Sequence, residues 1–131
     1  MIEFEQSRTV PASANAVYDQ AEDIQQVDSW LPYELHVHPE KLPAVTVHRD
    51  DTGHDAPAQF RAYRDRKRLE WGTSDAGTYA GWLQVTGAGG EDRSEVTIHL
   101  SFLDESIAPP RDAVRHALDD SLERLSHLVA S

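Results

Sequence analysis

The chain has 131 residues, no cysteine and a formal net charge of −11 at pH 7. That charge argues against nucleic acid and anionic membrane as partners, because both would repel it. The missing cysteine removes disulfides, thiolate metal sites and a cysteine nucleophile, and the length predicts a single domain over residues 1–131.

The first residues, Met1-Ile2-Glu3-Phe4-Glu5, show no basic region followed by a long apolar run, so no signal peptide is read and a cytoplasmic location is expected. Ile2, Phe4 and Val10 alternate with Glu3, Glu5, Ser7 and Thr9, which predicts a strand with one half-buried face. Pro11 ends it, and Ser13 is placed to cap a short helix running from Ala14 to about Asp23. Ile24, Val27, Trp30 and Leu31 keep helical spacing until Pro32, which predicts a second short helix after a bend near Glu22-Asp23.

From Tyr33 the period falls to two. Leu35 and Val37 alternate with polar neighbours, as do Val45 and Val47, and Asp50-Asp51-Thr52-Gly53-His54-Asp55 has the composition of a loop. Phe60 and Ala62 point opposite to Arg61 and Tyr63. Asp65-Arg66-Lys67 suits a hairpin connection, and Leu69 and Trp71 lie on the returning strand. Tyr79 to Val85 predicts another strand, Gly87-Ala88-Gly89-Gly90 a turn, and Val96, Ile98, Leu100 and Phe102 the cleanest alternation in the chain. Pro109-Pro110 then breaks the structure. Val114, Leu118, Ser121, Leu122, Leu125, Leu128 and Val129 recur at spacings of three and four, which is one face of a helix from about Pro110 to Val129. Arg115, His116, Asp119, Asp120, Glu123 and Arg124 fill its other face. Such a helix spans roughly 30 Å and cannot bury its stripe alone.

Consecutive strands joined by short turns must be antiparallel, and one apolar face per strand leaves the other face wet. The expected fold is α+β: a curved, seven-stranded antiparallel sheet around a long C-terminal helix, with two short helices after the first strand.

Arg8-Thr9-Val10-Pro11-Ala12-Ser13-Ala14-Asn15-Ala16-Val17-Tyr18 resembles the opening of the START-like (SRPBCC) helix-grip superfamily: a strand, a proline, then a helix with an early aromatic. Asp28-Ser29-Trp30-Leu31-Pro32 is similar to the tryptophan-and-proline end of that superfamily's second short helix. The long closing helix completes the likeness, whose nearest branch is the polyketide cyclase/dehydrase-like group. The resemblance covers essentially the whole chain and rests on layout more than on a signature. It implies a cavity between the sheet and the last helix, used for lipids, polyketides or other apolar molecules, in carriers and in aromatase/cyclases alike. One scaffold hosts many functions, so it fixes fold better than activity.

The inward phase of the strands and closing helix nominates Phe60, Arg64, Leu69, Trp71, Tyr79, Leu83, Ile98, Leu100, Phe102, Leu118 and Leu122 as ligand-binding residues, and the end of the second short helix adds Trp30. Ala62, Gly81 and Ser121 beside large aromatics could leave unfilled volume; the bland alternative is that these side chains interdigitate to crystal-like density. Trp30 is expected at the mouth of the cavity. Arg64 continues the phase of Phe60 and Ala62 and could anchor a carboxylate, or reach water at the strand end. Arginine outnumbers lysine ten to two, and Arg61, Arg64, Arg66 and Arg68 form either a basic patch or a charged hairpin. No histidine or carboxylate falls on the apolar phase, which speaks against an acid/base enzyme. His36, His38 and His48 lie on the polar phase and read as surface histidines without a metal, and Asp50 to Asp55 lacks the glycine and terminal glutamate of a calcium loop. No cofactor is expected. Trp82, with Tyr63 and His99, falls on the outward phase and is a candidate contact for a homodimer.

Overall fold

The computed structural model describes residues 2–23, 30, 35–39, 44–49, 55–73, 79–87, 92–102 and 111–130, with the side chains of 35–39, 44–49, 55–57, 73, 79 and 130 left aside. Strand β1 (Ile2–Val10) leads into helix α1 (Ala14–Glu22). There follow β2 (Leu35–Pro39), β3 (Ala44–Arg49), β4 (Asp55–Tyr63), β5 (Arg68–Thr73), β6 (Tyr79–Gly87) and β7 (Ser94–Phe102). Helix α2 (Arg111–Ala130) closes the chain. The strands form one sheet in the order β1-β7-β6-β5-β4-β3-β2, and every pairing is antiparallel.

Local chemistry sets the boundaries. The Ser13 hydroxyl accepts the Ala16 N–H at 3.1 Å, which satisfies one of the free donors at the start of α1. At Asp23 the backbone turns extended and α1 stops. The expected second short helix falls on residues outside the described ones, apart from Trp30. Asp55, expected in a loop, opens β4 instead. Between β4 and β5 the charged run forms a 3-10 turn, Arg64–Arg66, closed by Lys67 in the left-handed region at φ 51°. The Val85 N–H bonds the Lys67 carbonyl at 3.0 Å, and the Gln84 side-chain amide donates to the Arg66 carbonyl at 2.6 Å. The hairpin tip is thereby tied to β6.

Both helices pack on the same face of the sheet. Helix α2 lies on β1 and β7, whereas α1 lies on β5, β6 and β7 and also touches α2. Val114, Leu118, Ser121, Leu122 and Leu125 of α2 are buried, and Leu128 and Val129 are partly so. Ser126 is buried with them, outside the expected stripe. The β7 side chains alternate from Ser94 to Phe102, with every second one buried. Among the described residues no helix is long and apolar enough to cross a membrane.

Candidate functional site

The register sorts the inner-face residues into rows that run across the sheet. One row is Phe60, Trp71, Gly81, Leu100 and Phe4; its neighbour is Ala62, Leu69, Leu83, Ile98 and Gln6. Leu69, Leu83, Ile98 and Leu100 are fully buried, and Phe60 and Phe102 nearly so. Phe102 meets Phe4 edge to face at 6.2 Å and closes the β1–β7 end. Leu118 and Leu122 meet this core from α2. Ten of the twelve nominated residues therefore belong to, or pack against, one apolar cluster. The side chain of Tyr79 lies outside the described ones, although its backbone is in register with Phe102.

Two of the small residues expected to leave empty volume do not. A Cβ on Gly81 would sit 2.6–2.8 Å from the indole of Trp71, so that ring occupies the room the glycine provides. The Ser121 hydroxyl is used as well, donating to the backbone carbonyl of Trp30. Ala62 differs: it shares the inner row with buried Leu69 yet is exposed, and Trp71 beside it is only half-buried. The inner face is thus sealed under the helices and at Ala58 and Phe60 of β4, and opens to solvent at Ala62.

Trp30 is not at a mouth. Its side chain is 0% exposed and meets Trp71 edge to face, with ring centroids 5.9 Å apart and planes at 72°. The expectation of a mouth rests on its place at the end of the predicted second helix, whereas its burial is set by residues distant in sequence. Its indole N–H has no hydrogen-bond partner, and neither do the buried hydroxyls of Tyr18 and Ser94. Burial without a partner costs about 1–3 kcal/mol per group.

Arg64 does not face the interior either. The 3-10 turn resets the alternation at the end of β4, and the Arg64 side chain is 65% exposed. It bonds Asp19 of α1 at 2.9 Å and also Glu22, with its guanidinium 5.5 Å from the centre of the Tyr18 ring. It latches the hairpin to α1 instead of offering a charge to a ligand. Burial raises the Tyr18 pKa, against a lowering by Arg64, so the phenol keeps its proton. The nearby arginines are engaged separately: Arg61 donates to Gln59 at 3.0 Å and Arg68 pairs with Glu70 at 2.7 Å. The cluster is a charged hairpin.

On the outer face the expected Trp82–His99 neighbourhood forms, as part of a longer ladder. His99 stacks on Trp82 at 5.1 Å with 2° between planes, and the Arg68 guanidinium lies 4.4 Å from the Trp82 ring. Since β5 and β7 flank β6 on opposite sides, the indole is sandwiched. The two ring nitrogens of His99 face Glu5 and Glu3, each at 3.3 Å. The sequence places Arg68 in the arginine cluster and Glu3 and Glu5 on the polar phase of β1, but nothing in it joins them to Trp82. Tyr63 stands in register with Arg68 at the end of β4.

A groove of about 300 Å³ runs between α1 and the end of α2, lined by Ala16, Asp19, Gln20, Asp23, Leu128 and Val129. Among the described residues no group of three or more histidines or carboxylates could hold a metal. The register does set His36 opposite His48, with His38 opposite Thr46, but their side chains lie outside the described ones. Buried polar side chains among the described residues are Ser94, Ser121 and Ser126, and none is charged.

An apolar inner face under a closing helix, spread along the chain from Phe4 to Leu125, agrees with a family model that matches residues 1–130, that of polyketide cyclase / dehydrase and lipid transport. The chain belongs to that family. Its START-like fold is shared with solved structures. A START superfamily protein from Mycobacterium smegmatis superposes with a TM-score of 0.77 at 11% identity, over 98% of this chain and 97% of that one. The protein XoxI from Bacillus cereus does so with 0.78 at 16% identity, over 100% and 97% of the two chains. The di-domain ARO/CYC BexL from the BE-7585A biosynthetic pathway gives 0.69 at 18% identity, over 99% of this chain and 47% of BexL. Identities this low speak to fold alone. No curated protein matches the sequence.

Proposed function

We propose that the protein binds an apolar small molecule, a lipid, polyketide or other hydrophobic metabolite, between the inner face of the sheet and α2. The observation that carries this reading is the uncovered part of the inner face, where exposed Ala62 and half-buried Trp71 adjoin buried Phe60 and Leu69. Access runs past Ala62, and Trp71, Trp30, Phe60, Leu69, Leu83 and Leu100 form the wall. Membership of a family described by lipid transport as well as by polyketide cyclisation supports the same reading.

Ala62→Trp tests it. On an exposed site the change should alter stability by no more than about 0.5 kcal/mol. Binding of the uncharged apolar dye N-phenylnaphthylamine, followed by its fluorescence, should weaken at least tenfold. Undiminished dye binding in the folded variant would move the site elsewhere.

The likeness to BexL favours a second reading, an aromatase/cyclase-type enzyme. Such chemistry wants an acid/base group beside the ligand carbonyls. Among the described residues no carboxylate or histidine is buried, so binding without turnover is the reading preferred. Release of a cyclised or dehydrated product from a poly-β-keto substrate would reverse that preference.

A further inference from the structure

The ligand's chemistry can be taken one step further, and this step rests on the binding reading above. Trp30 is fully buried, and its side-chain N–H has no partner. An indole N–H is a donor only, so the demand is specifically for an acceptor. The indole is restrained at both ends. The Ser121 hydroxyl of α2 holds its backbone carbonyl, and its ring meets Trp71 edge to face. Trp71 in turn fills the space over Gly81. The indole is therefore held in place, and what satisfies its N–H must come to it.

Charge narrows the class further. An ion taken into an apolar interior needs a buried counter-charge, and several kcal/mol are lost without one. Among the described residues no arginine, lysine, histidine or carboxylate is buried. Arg64, the cation that the sequence pointed to, lies outside the core and is bound to Asp19 and Glu22. Among the described residues a carboxylate ligand would meet no cation within, and an amine no anion. The second unpartnered group on the helical side, the Tyr18 hydroxyl, is 1% exposed and can donate or accept a neutral hydrogen bond.

We propose that the interior site selects an uncharged molecule whose apolar body carries an acceptor oxygen, and that the Trp30 indole N–H receives that oxygen. Trp30 is then a specificity-determining residue: it separates a ketone or ester from a hydrocarbon of the same shape, while the uncharged wall rejects the corresponding acid.

Three probes of nearly one size test this by calorimetry on the whole chain: methyl naphthyl ketone, ethylnaphthalene and naphthoate. A net hydrogen bond of about 0.5–1.5 kcal/mol makes the ketone roughly 2- to 13-fold tighter than the hydrocarbon. Naphthoate at neutral pH should bind at least 30-fold more weakly than the ketone, on the order of what an unpaired buried charge costs. Trp30→Phe keeps a ring and removes the donor, so it should erase the ketone's advantage and leave ethylnaphthalene nearly unchanged. Should that variant fail to fold, the wild-type protein still decides: on isotope-labelled protein the Trp30 indole N–H resonance should move downfield with the ketone and not with the hydrocarbon. Equal affinity for ketone and hydrocarbon, tight naphthoate binding, or an unmoved resonance would overturn the proposal and leave the binding reading standing. Failure of all three probes to bind would overturn both.

Discussion

The two faces of the central strands solve the problem of polar groups in opposite ways. On the outer face, Glu3, Glu5, His99, Trp82, Arg68 and Glu70 form a ladder in which neighbours supply each other's partners. On the inner face the same strands present Leu69, Leu83, Ile98 and Leu100, while Trp30 and Tyr18 beside them keep polar atoms with no partner. The outer ladder is chemically complete. Its ion pairs are exposed or half-exposed and contribute at most about 1 kcal/mol each. The inner face is incomplete, and each unmet donor there costs more than an outer pair returns. A protein that needed only stability would lose nothing by replacing those groups with apolar ones.

The largest break in this contrast should come from placing a charge on the sealed side. Leu118→Asp puts an unpaired carboxylate into the core under α2 and should cost more than about 3 kcal/mol, or abolish folding, in urea titrations followed by circular dichroism. Asp119→Ala, one residue away on the wet side, should stay within about 0.5 kcal/mol of wild type. Equal effects would erase the distinction between the faces.

A smaller effect sharpens the description of the inner row. Gly81→Ala drives a methyl group into the Trp71 indole and should cost about 1–3 kcal/mol, with a change in tryptophan emission as the ring is displaced. A silent substitution would show that the indole is free to leave, and that the row holds more room than its packing indicates.

The smallest concerns the Tyr18 phenol. Its pKa is raised above the ordinary 10.0 by burial, so on alkalinisation the unfolded chain loses its phenolic proton first. The contribution is whole below about pH 10 and is lost as the pH rises through the folded-state value. Unfolding free energies measured from about pH 8 to about pH 11 should therefore fall more steeply for wild type than for Tyr18→Phe. Parallel slopes would mean that the phenol is hydrated.

What could be read from the sequence was whatever depends on local period. The α2 stripe, the alternation of β7 and the Ser13 cap come from residues within a few positions of one another, and the structure carries all three. The α+β class and the family likeness follow from the same signals. The errors arise where period stops. Arg64 was assigned by counting in twos past the end of β4, where the 3-10 turn breaks the count. Ala62 was given the right face, but whether that face is covered depends on where α2 lies, and α2 favours β1 and β7. The end of the predicted second helix puts Trp30 at a mouth, whereas its contacts are with Ser121 and Trp71, both far along the chain. The outer ladder needed cross-strand register, which pairs Glu5 with His99 and is written in no local pattern.

The position of β1 at the end of the sheet has a consequence for the protein in concentrated solution. An edge strand offers unpaired backbone groups to any second strand and is a standing route to aggregation. Here that edge carries Glu3 and Glu5 with exposed side chains, on a chain whose net charge is −11. Two copies approaching through β1 would set carboxylates near carboxylates before any backbone bond could form. The acidity that excludes nucleic acid thus also opposes strand-to-strand pairing at an open edge.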